Sequence, residues 1–215
     1  MLFRSAFFST GQKCTATSRA IVEEAVYEDF LKLLVEKTRK LRVGNGLEKG
    51  VEMGPCVDEN QMNTVLRYIE VGKSEGAKLE CGGNRLTGSG YDKGYFVEPT
   101  IFTNVKPEMR ICQEEIFGPV LAVLPVKDFD QAIQMANNVK FGLSASLLTN
   151  QMNKAFAYIN KIEAGLIIVN LPSAGVEYQL PFGGTKASST GCREQGSVAI
   201  DFYSELRTVY LKYQI

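Results

Sequence analysis

The chain has 215 residues, with 24 Lys and Arg balanced by 24 Asp and Glu and no histidine. A chain of this length can bury roughly 70% of its unfolded surface in one domain without disulfide or metal staples, and 45% apolar with 22% charged residues is an ordinary globular composition. Zero formal net charge argues against a basic footprint for nucleic acid or an anionic membrane, and the missing imidazole excludes Ser-His-Asp, Cys-His and His-ligated metal sites, leaving a carboxylate, Lys, Tyr or water as any base.

Taken in chain order, an apolar run at Arg19 to Glu23 reads as a strand. Val26, Phe30, Leu34 and Val35, with Tyr27, Leu31, Thr38 and Leu41, then recur at helical spacing up to the breaker Gly44-Asn45-Gly46. Asp58 followed three residues later by Gln61 resembles a capping box, and Met62, Val65, Leu66 and Ile69 form one apolar helical face before Gly72. Further strands are expected at Ala77 to Cys81, Phe96 to Val105, Val120 to Val126, Ser144 to Thr149 and Leu166 to Asn170. Helices are expected at about Asp130 to Asn138 and Asn150 to Ile162. Strands alternating with helices imply an α/β fold with a largely parallel sheet flanked by helices and function at the carboxyl ends of the strands. The last segment, Glu205 to Tyr213, alternates like an exposed strand, and an unpaired edge of that kind favours association into a dimer or larger assembly.

Cys14, Cys56, Cys81, Cys112 and Cys192 are odd in number and contain no Cys-x-x-Cys pair, so zinc ribbons and redox dithiols are not expected, and scattered free thiols fit a reducing cytosol. Met1 to Phe8 is too short and polar-interrupted for a signal peptide or membrane span. A cytoplasmic chain with no nucleic-acid or membrane partner is therefore expected.

Phe7-Phe8-Ser9-Thr10-Gly11-Gln12-Lys13-Cys14-Thr15-Ala16 is the most informative segment. A thiolate nucleophile without histidine needs positive potential from a helix N-terminus, backbone amides or an ammonium such as Lys13. Spacing alone leaves open the plainer reading of Cys14 as a small buried hydrophobe. The stretch resembles the active-site cysteine signature of the aldehyde dehydrogenase superfamily. Two further motifs of that family follow in order, Glu114-Glu115-Ile116-Phe117-Gly118-Pro119-Val120 and Pro181-Phe182-Gly183-Gly184-Thr185-Lys186.

The resemblance implies that Cys14 attacks an aldehyde to give a thiohemiacetal, that hydride passes to NAD or NADP, and that water hydrolyses the resulting thioester. It implies that Glu115 holds the ribose hydroxyls on the nicotinamide side and that Phe117 packs against ribose and nicotinamide. The plain alternatives are a loop acid capping a turn and a core phenylalanine. Gln61, in a stretch similar to the family's Asp-Glu-x-Gln, either approaches the cofactor or simply caps a helix. Ala174, Val176 and Phe182 are the implied walls of the aldehyde pocket, the alternative being a surface loop with a buried Phe. Gly183 and Gly184 serve a tight turn.

Where the family usually reads K-x-S-G-x-G, this chain has Lys186-Ala187-Ser188-Ser189-Thr190-Gly191. With the Cys14 segment, this looks most like the branch that oxidises α-ketoglutaric semialdehyde (2,5-dioxovalerate). An acidic substrate wants a cationic anchor; Lys13, Arg19 and Lys186 are the basic residues near the motifs, and the sequence singles out none of them.

The resemblance implies an aldehyde dehydrogenase catalytic domain over residues 1–203 and an oligomerisation strand over 204–215. No Gly-rich strand-to-helix phosphate loop occurs, because Gly82-Gly83 and Gly88-Gly90 lack the βα context, so the N-terminal dinucleotide-binding domain is expected to be absent from this chain. The family's Glu-Leu-Gly-Gly motif with its general base, and its oxyanion-hole Asn, are not seen either. The expectation is therefore weak or absent NAD(P) binding and little or no dehydrogenase activity in the isolated chain. A small-molecule aldehyde is the expected substrate, and a homo-oligomer or association with the missing N-terminal half the expected assembly. The alternatives are a non-enzymatic remnant or subunit of a split enzyme that docks on a partner chain, and a slow thiol esterase acting through Cys14 alone.

Overall fold

The computed structural model describes residues 2–88 and 90–214. A short helix α1 (Leu2–Phe7) runs into a single tight turn at Phe8–Gly11, and β1 (Arg19–Glu23) follows directly by helix α2 (Glu24–Arg39). Helix α3 (Glu59–Ser74) leads to β2 (Lys78–Cys81), β3 (Thr100–Thr103), the one-turn α4 (Arg110–Gln113) and β4 (Val120–Val126). The second half holds α5 (Phe129–Asn137), β5 (Phe141–Gly142), β6 (Ser144–Leu147), α6 (Met152–Lys161), β7 (Leu166–Val169), β8 (Thr185–Lys186) and α7 (Ala199–Phe202).

The main sheet has the order β1-β4-β3-β2, with β1 and β3 both parallel to β4 and only β2 antiparallel. Strand β4 is buried along almost its whole length because alternate side chains feed two cores. Leu121 and Val123 meet Ala20, Ile101, Phe7 and Leu34 on the α1/α2 side, whereas Val120, Ala122 and Leu124 meet Phe102, Val65 and Ile69 on the α3 side. That is the pattern of a parallel sheet covered on both faces. A smaller cluster packs Ile133, Tyr158 and Ile162 against the parallel pair β6-β7.

The expected strand at Phe96 to Val105 forms a ladder only over Thr100–Thr103. Pro99, which has no N–H, stands just before it, and its carbonyl lies where a side chain on Gly82 would be. Glu205 to Tyr213 lies outside any strand and is exposed throughout. Alternation there makes an edge without a partner, and a strand exists only through its ladder.

Phe102 is fully buried, and its ring touches the space beside Gly72 on α3, where an added Cβ would come within 3.2 Å of it. Phe102→Ala is expected to lower unfolding free energy by about 3–5 kcal/mol, read as a lower denaturant midpoint with an unchanged slope.

Candidate active site

Cys14, Glu115 and Phe117 come from loops that enter strands rather than leave them. Cys14 precedes β1, and Glu115 and Phe117 precede β4. Because β1 and β4 are parallel neighbours in register (Arg19 opposite Ala122), their entry loops emerge side by side. The expectation of a site at the carboxyl ends of the strands is thus corrected for the main sheet: these residues stand at its amino end. Only the loop after β7 follows that rule, and Ser173 brings it to the same place.

The backbone ahead of Cys14 is strained. Ser9, Thr10 and Gly11 all have left-handed φ values, 56°, 59° and 64°, a conformation that costs non-glycine residues roughly 1–2 kcal/mol each. Three contacts hold it. The Thr10 hydroxyl points at the Gly54 and Pro55 carbonyls, 3.1 and 3.2 Å away. Gln12 Oε1 accepts the Val57 N–H at 3.1 Å. Gly11 lies so close to Gly118 that a Cβ would sit 2.2 Å from the Gly118 carbonyl oxygen. The chain then turns, with the Ala16 N–H bonded to the Lys13 carbonyl at 2.9 Å, so Cys14 stands on a turn and not at a helix N-terminus. Its thiol is exposed, which removes the buried-hydrophobe reading.

Asp58 caps α3 by accepting the Gln61 N–H at 2.8 Å, but the reciprocal half of the capping box is not made. The Gln61 side chain instead donates to the carbonyls of Ile116 and Phe117 at 2.9 and 2.8 Å. Ile116 is buried in the α3 core, so its neighbours face outward. Glu115 is exposed and carries no side-chain hydrogen bond or ion pair among the described residues. Phe117, at φ 55°, is 40% exposed and is no core phenylalanine.

Glu114 has the opposite fate. It accepts from Arg110 Nε and Nη2 at 3.0 and 2.9 Å and from the Tyr68 hydroxyl at 2.7 Å. The Arg110 hydrogen bonds, then that from Tyr68, pull its carboxyl from the ordinary 4.5 down to about 2. The one sequence signal that separates these two glutamates is the Arg four residues before Glu114, an i,i+4 spacing that Glu115 lacks.

Ser173 was not anticipated. Its hydroxyl donates to the Thr15 carbonyl at 3.0 Å, which leaves its oxygen to accept from Thr17 Oγ1 at 2.8 Å. This pins the start of the Leu171–Leu180 loop, and hence Ala174, to the Cys14 turn. Val176 lies further along that loop and is exposed. Phe182 is half-buried and is tied by a backbone pair to Glu194, 2.6 and 2.9 Å. No hydrogen bond among the described residues links Val176 or Phe182 to the Cys14 turn.

Two of the three basic residues have structural work. The Arg19 guanidinium donates to the Met135 and Ala136 carbonyls at the end of α5, 3.2 and 3.1 Å away, and its burial lowers its pKa. Lys186 donates to the Asn137 and Val139 carbonyls and pairs with Glu163. Lys13 is exposed beside Cys14. Among the described residues no cluster of three metal-ligating side chains occurs, and no helix is long and apolar enough to cross a membrane.

Residues 1–209 match the model of the aldehyde dehydrogenase family. The chain belongs to that family. It is 50% identical over 207 residues to the alpha-ketoglutaric semialdehyde dehydrogenase of Bacillus subtilis, covering 96% of this chain and 42% of that protein. It is 48% identical over 208 residues to the alpha-ketoglutarate semialdehyde dehydrogenase of Haloferax volcanii, covering 96% and 43%. Among solved structures, betaine aldehyde dehydrogenase from Staphylococcus aureus in complex with NAD+ superposes with a TM-score of 0.91 at 35% identity, covering 94% of this chain and 40% of that one. HpcC from Thermus thermophilus gives 0.90 at 38% identity, covering 99% and 43%. This aldehyde dehydrogenase chain therefore spans less than half the length of these relatives.

A carboxylate whose folded pKa is depressed adds stability that is complete above its unfolded pKa and is lost as pH falls through the folded value. The Glu114 contribution is expected to fade from about pH 4.5 down to about pH 2. In thermal melts across that range, the gap between the native chain and Glu114→Gln should narrow steadily, whereas it should stay flat above pH 5.5 or so.

Proposed function

We propose that this chain supplies the catalytic domain of an NAD(P)-dependent aldehyde dehydrogenase, with Cys14 as nucleophile and a semialdehyde such as α-ketoglutaric semialdehyde as substrate. One observation carries the reading. The exposed Cys14 turn, the Glu115–Phe117 loop and the loop carrying Ala174 are locked together at one end of the sheet, by the Gly11–Gly118 contact and by Ser173. The names of the relatives support the substrate class.

The Cys14 sulfur, as thiolate, adds to the aldehyde carbon while the carbonyl electron pair moves to oxygen and takes a proton, giving a thiohemiacetal. The chemistry a nicotinamide cofactor brings when bound is acceptance of the hydride from that carbon. With the hydride gone and the hydroxyl proton released to solvent, Cys14 holds the acyl group as a thioester until water adds, after which the carboxylic acid leaves and the thiolate is restored. The exposed, unpaired Glu115 has two free oxygens for the two hydroxyls of a ribose, and the outward Phe117 offers a flat apolar face beside it, so the residues present fit one wall of a dinucleotide site. Ala174, Val176 and Phe182 line the aldehyde side. The Glu-Leu-Gly-Gly base belongs to the part of the family fold that this chain does not span, so turnover requires that part, and NAD(P) held by one wall alone binds weakly.

Incubation with an activated acyl ester is expected to place one acyl group on Cys14 by peptide mass mapping. Cys192, the other exposed thiol, should stay free, and Cys14→Ala should leave the chain unmodified. Equal labelling of both thiols, or none on Cys14, would remove the nucleophile assignment. The same chain mixed with the complementary part of a relative should form NAD(P)H from α-ketoglutaric semialdehyde, and Cys14→Ala should not.

The tail supports an assembly. Leu206, Val209, Tyr210 and Leu211 are strongly exposed, and neighbouring apolar side chains left in water favour association. Light scattering of the native chain at micromolar concentration is expected to give a dimer or larger species, and removal of residues 204–215 a monomer.

A further inference from the structure

We infer that Gln61 is a positioning residue that holds Phe117 in place through the backbone, whatever its free Oε1 meets. The inference deepens the proposed function and rests on its reading of the Glu115–Phe117 loop as the nicotinamide-side wall.

A primary amide has two N–H donors. In Gln61 both are spent, one on the Ile116 carbonyl at 2.9 Å and the other on the Phe117 carbonyl at 2.8 Å. Only the NH2 end can face two carbonyls, so the partners fix the orientation of the amide. A ligand beside Gln61 would meet only its Oε1 acceptor.

The tether has a strain to oppose. Phe117 stands at φ 55°, and a bulky residue held in the left-handed region relaxes unless its surroundings forbid it. Gly118, the next residue, is packed so tightly on Val65 that a Cβ would lie 2.3 Å from the Val65 methyl. Val65 and Gln61 are four residues apart on α3, one turn of the same face. Helix α3 thus grips the loop twice, by shape at Gly118 and by hydrogen bonds at Ile116 and Phe117. The side chain of Phe117 stays 40% exposed while its backbone is fixed.

The chain has no tryptophan, so Phe117→Trp introduces a single indole at the loop. In that background, Gln61→Met keeps side-chain length and removes both donors. Acrylamide quenching of the indole should rise roughly twofold and its fluorescence anisotropy should fall, as expected when a local clamp of two hydrogen bonds is lost. Asp58→Ala, which removes only the cap of α3, should lower the melting temperature and leave quenching unchanged. Equal quenching with and without the Gln61 amide would overturn the inference, as would an Asp58→Ala effect on quenching as large as that of Gln61→Met. Should Gln61→Met unfold the chain by circular dichroism, Gln61→Asn, which is too short to span both carbonyls, is read in its place by the same two criteria. The readout needs no nucleotide. If the reading of the loop as a cofactor wall is what fails, added NAD(P)+ at saturating concentration leaves the indole signal unmoved in the complemented enzyme, while the Gln61 effect persists.

Discussion

No side chain fits between Gly11 and the carbonyl of Gly118, and the rest of the site depends on that close approach. It sets two loops from distant parts of the sequence at backbone contact and closes a ring of short links. From the Cys14 turn, Gln12 reaches Val57; the chain from there caps α3 at Asp58; Gln61 on α3 reaches Ile116 and Phe117; and Gly118 returns to Gly11. Each link is a hydrogen bond of modest net worth or a glycine contact, yet moving one loop means breaking several at once. A ring of this kind can hold left-handed residues at Ser9, Thr10 and Phe117 that an open loop would release.

The sheet supplies the frame. Parallel pairing of β1 with β4 places both entry loops at the same end, and the two-sided burial of β4 makes that register costly to shift, because a slip of one residue would exchange its two core faces. The parallel pair β6-β7 then sends its exit loop back to the same region, where one buried hydroxyl at Ser173 bonds both Thr15 and Thr17. Strand entries and a strand exit converge, so the rule that sites gather at carboxyl ends describes β7 and fails for β1 and β4.

Most of the framework was legible because it is written in periodicity. The helical spacing from Val26 to Leu41 and from Met62 to Ile69, and the apolar run of β4, each depend on neighbours in sequence. The three motifs were legible through family resemblance. What escaped depends on partners far apart in the chain. Gln61 looked like half of a capping box because Asp58 stands three residues before it, and only the fold shows that the amide turns away to residues 116 and 117. Arg19 and Lys186 looked available to an acidic substrate, but both donate to carbonyls at or just beyond the C-terminal end of α5, a role with no local signature. The tail alternates as a strand should, yet alternation describes a face, and a ladder needs a second edge.

The candidate residues Cys14, Glu115, Phe117 and Ala174 share a local construction. Cys14 adjoins Thr15, which is 2% exposed; Glu115 and Phe117 flank buried Ile116; Ala174 follows buried Ser173. In extended or turning backbone, successive side chains point to different sides, so anchoring one residue in the core or in a hydrogen bond aims its neighbour at solvent. The adjacent carboxylates of Glu114 and Glu115 follow the same logic in charge. Arg110 and Tyr68 hold the first so firmly that its carboxyl falls to about 2, and the second is left without a side-chain partner at the loop among the described residues. A substitution at Thr15, Ile116 or Ser173 would therefore act on the candidate site without belonging to it, by changing where the neighbouring residue points.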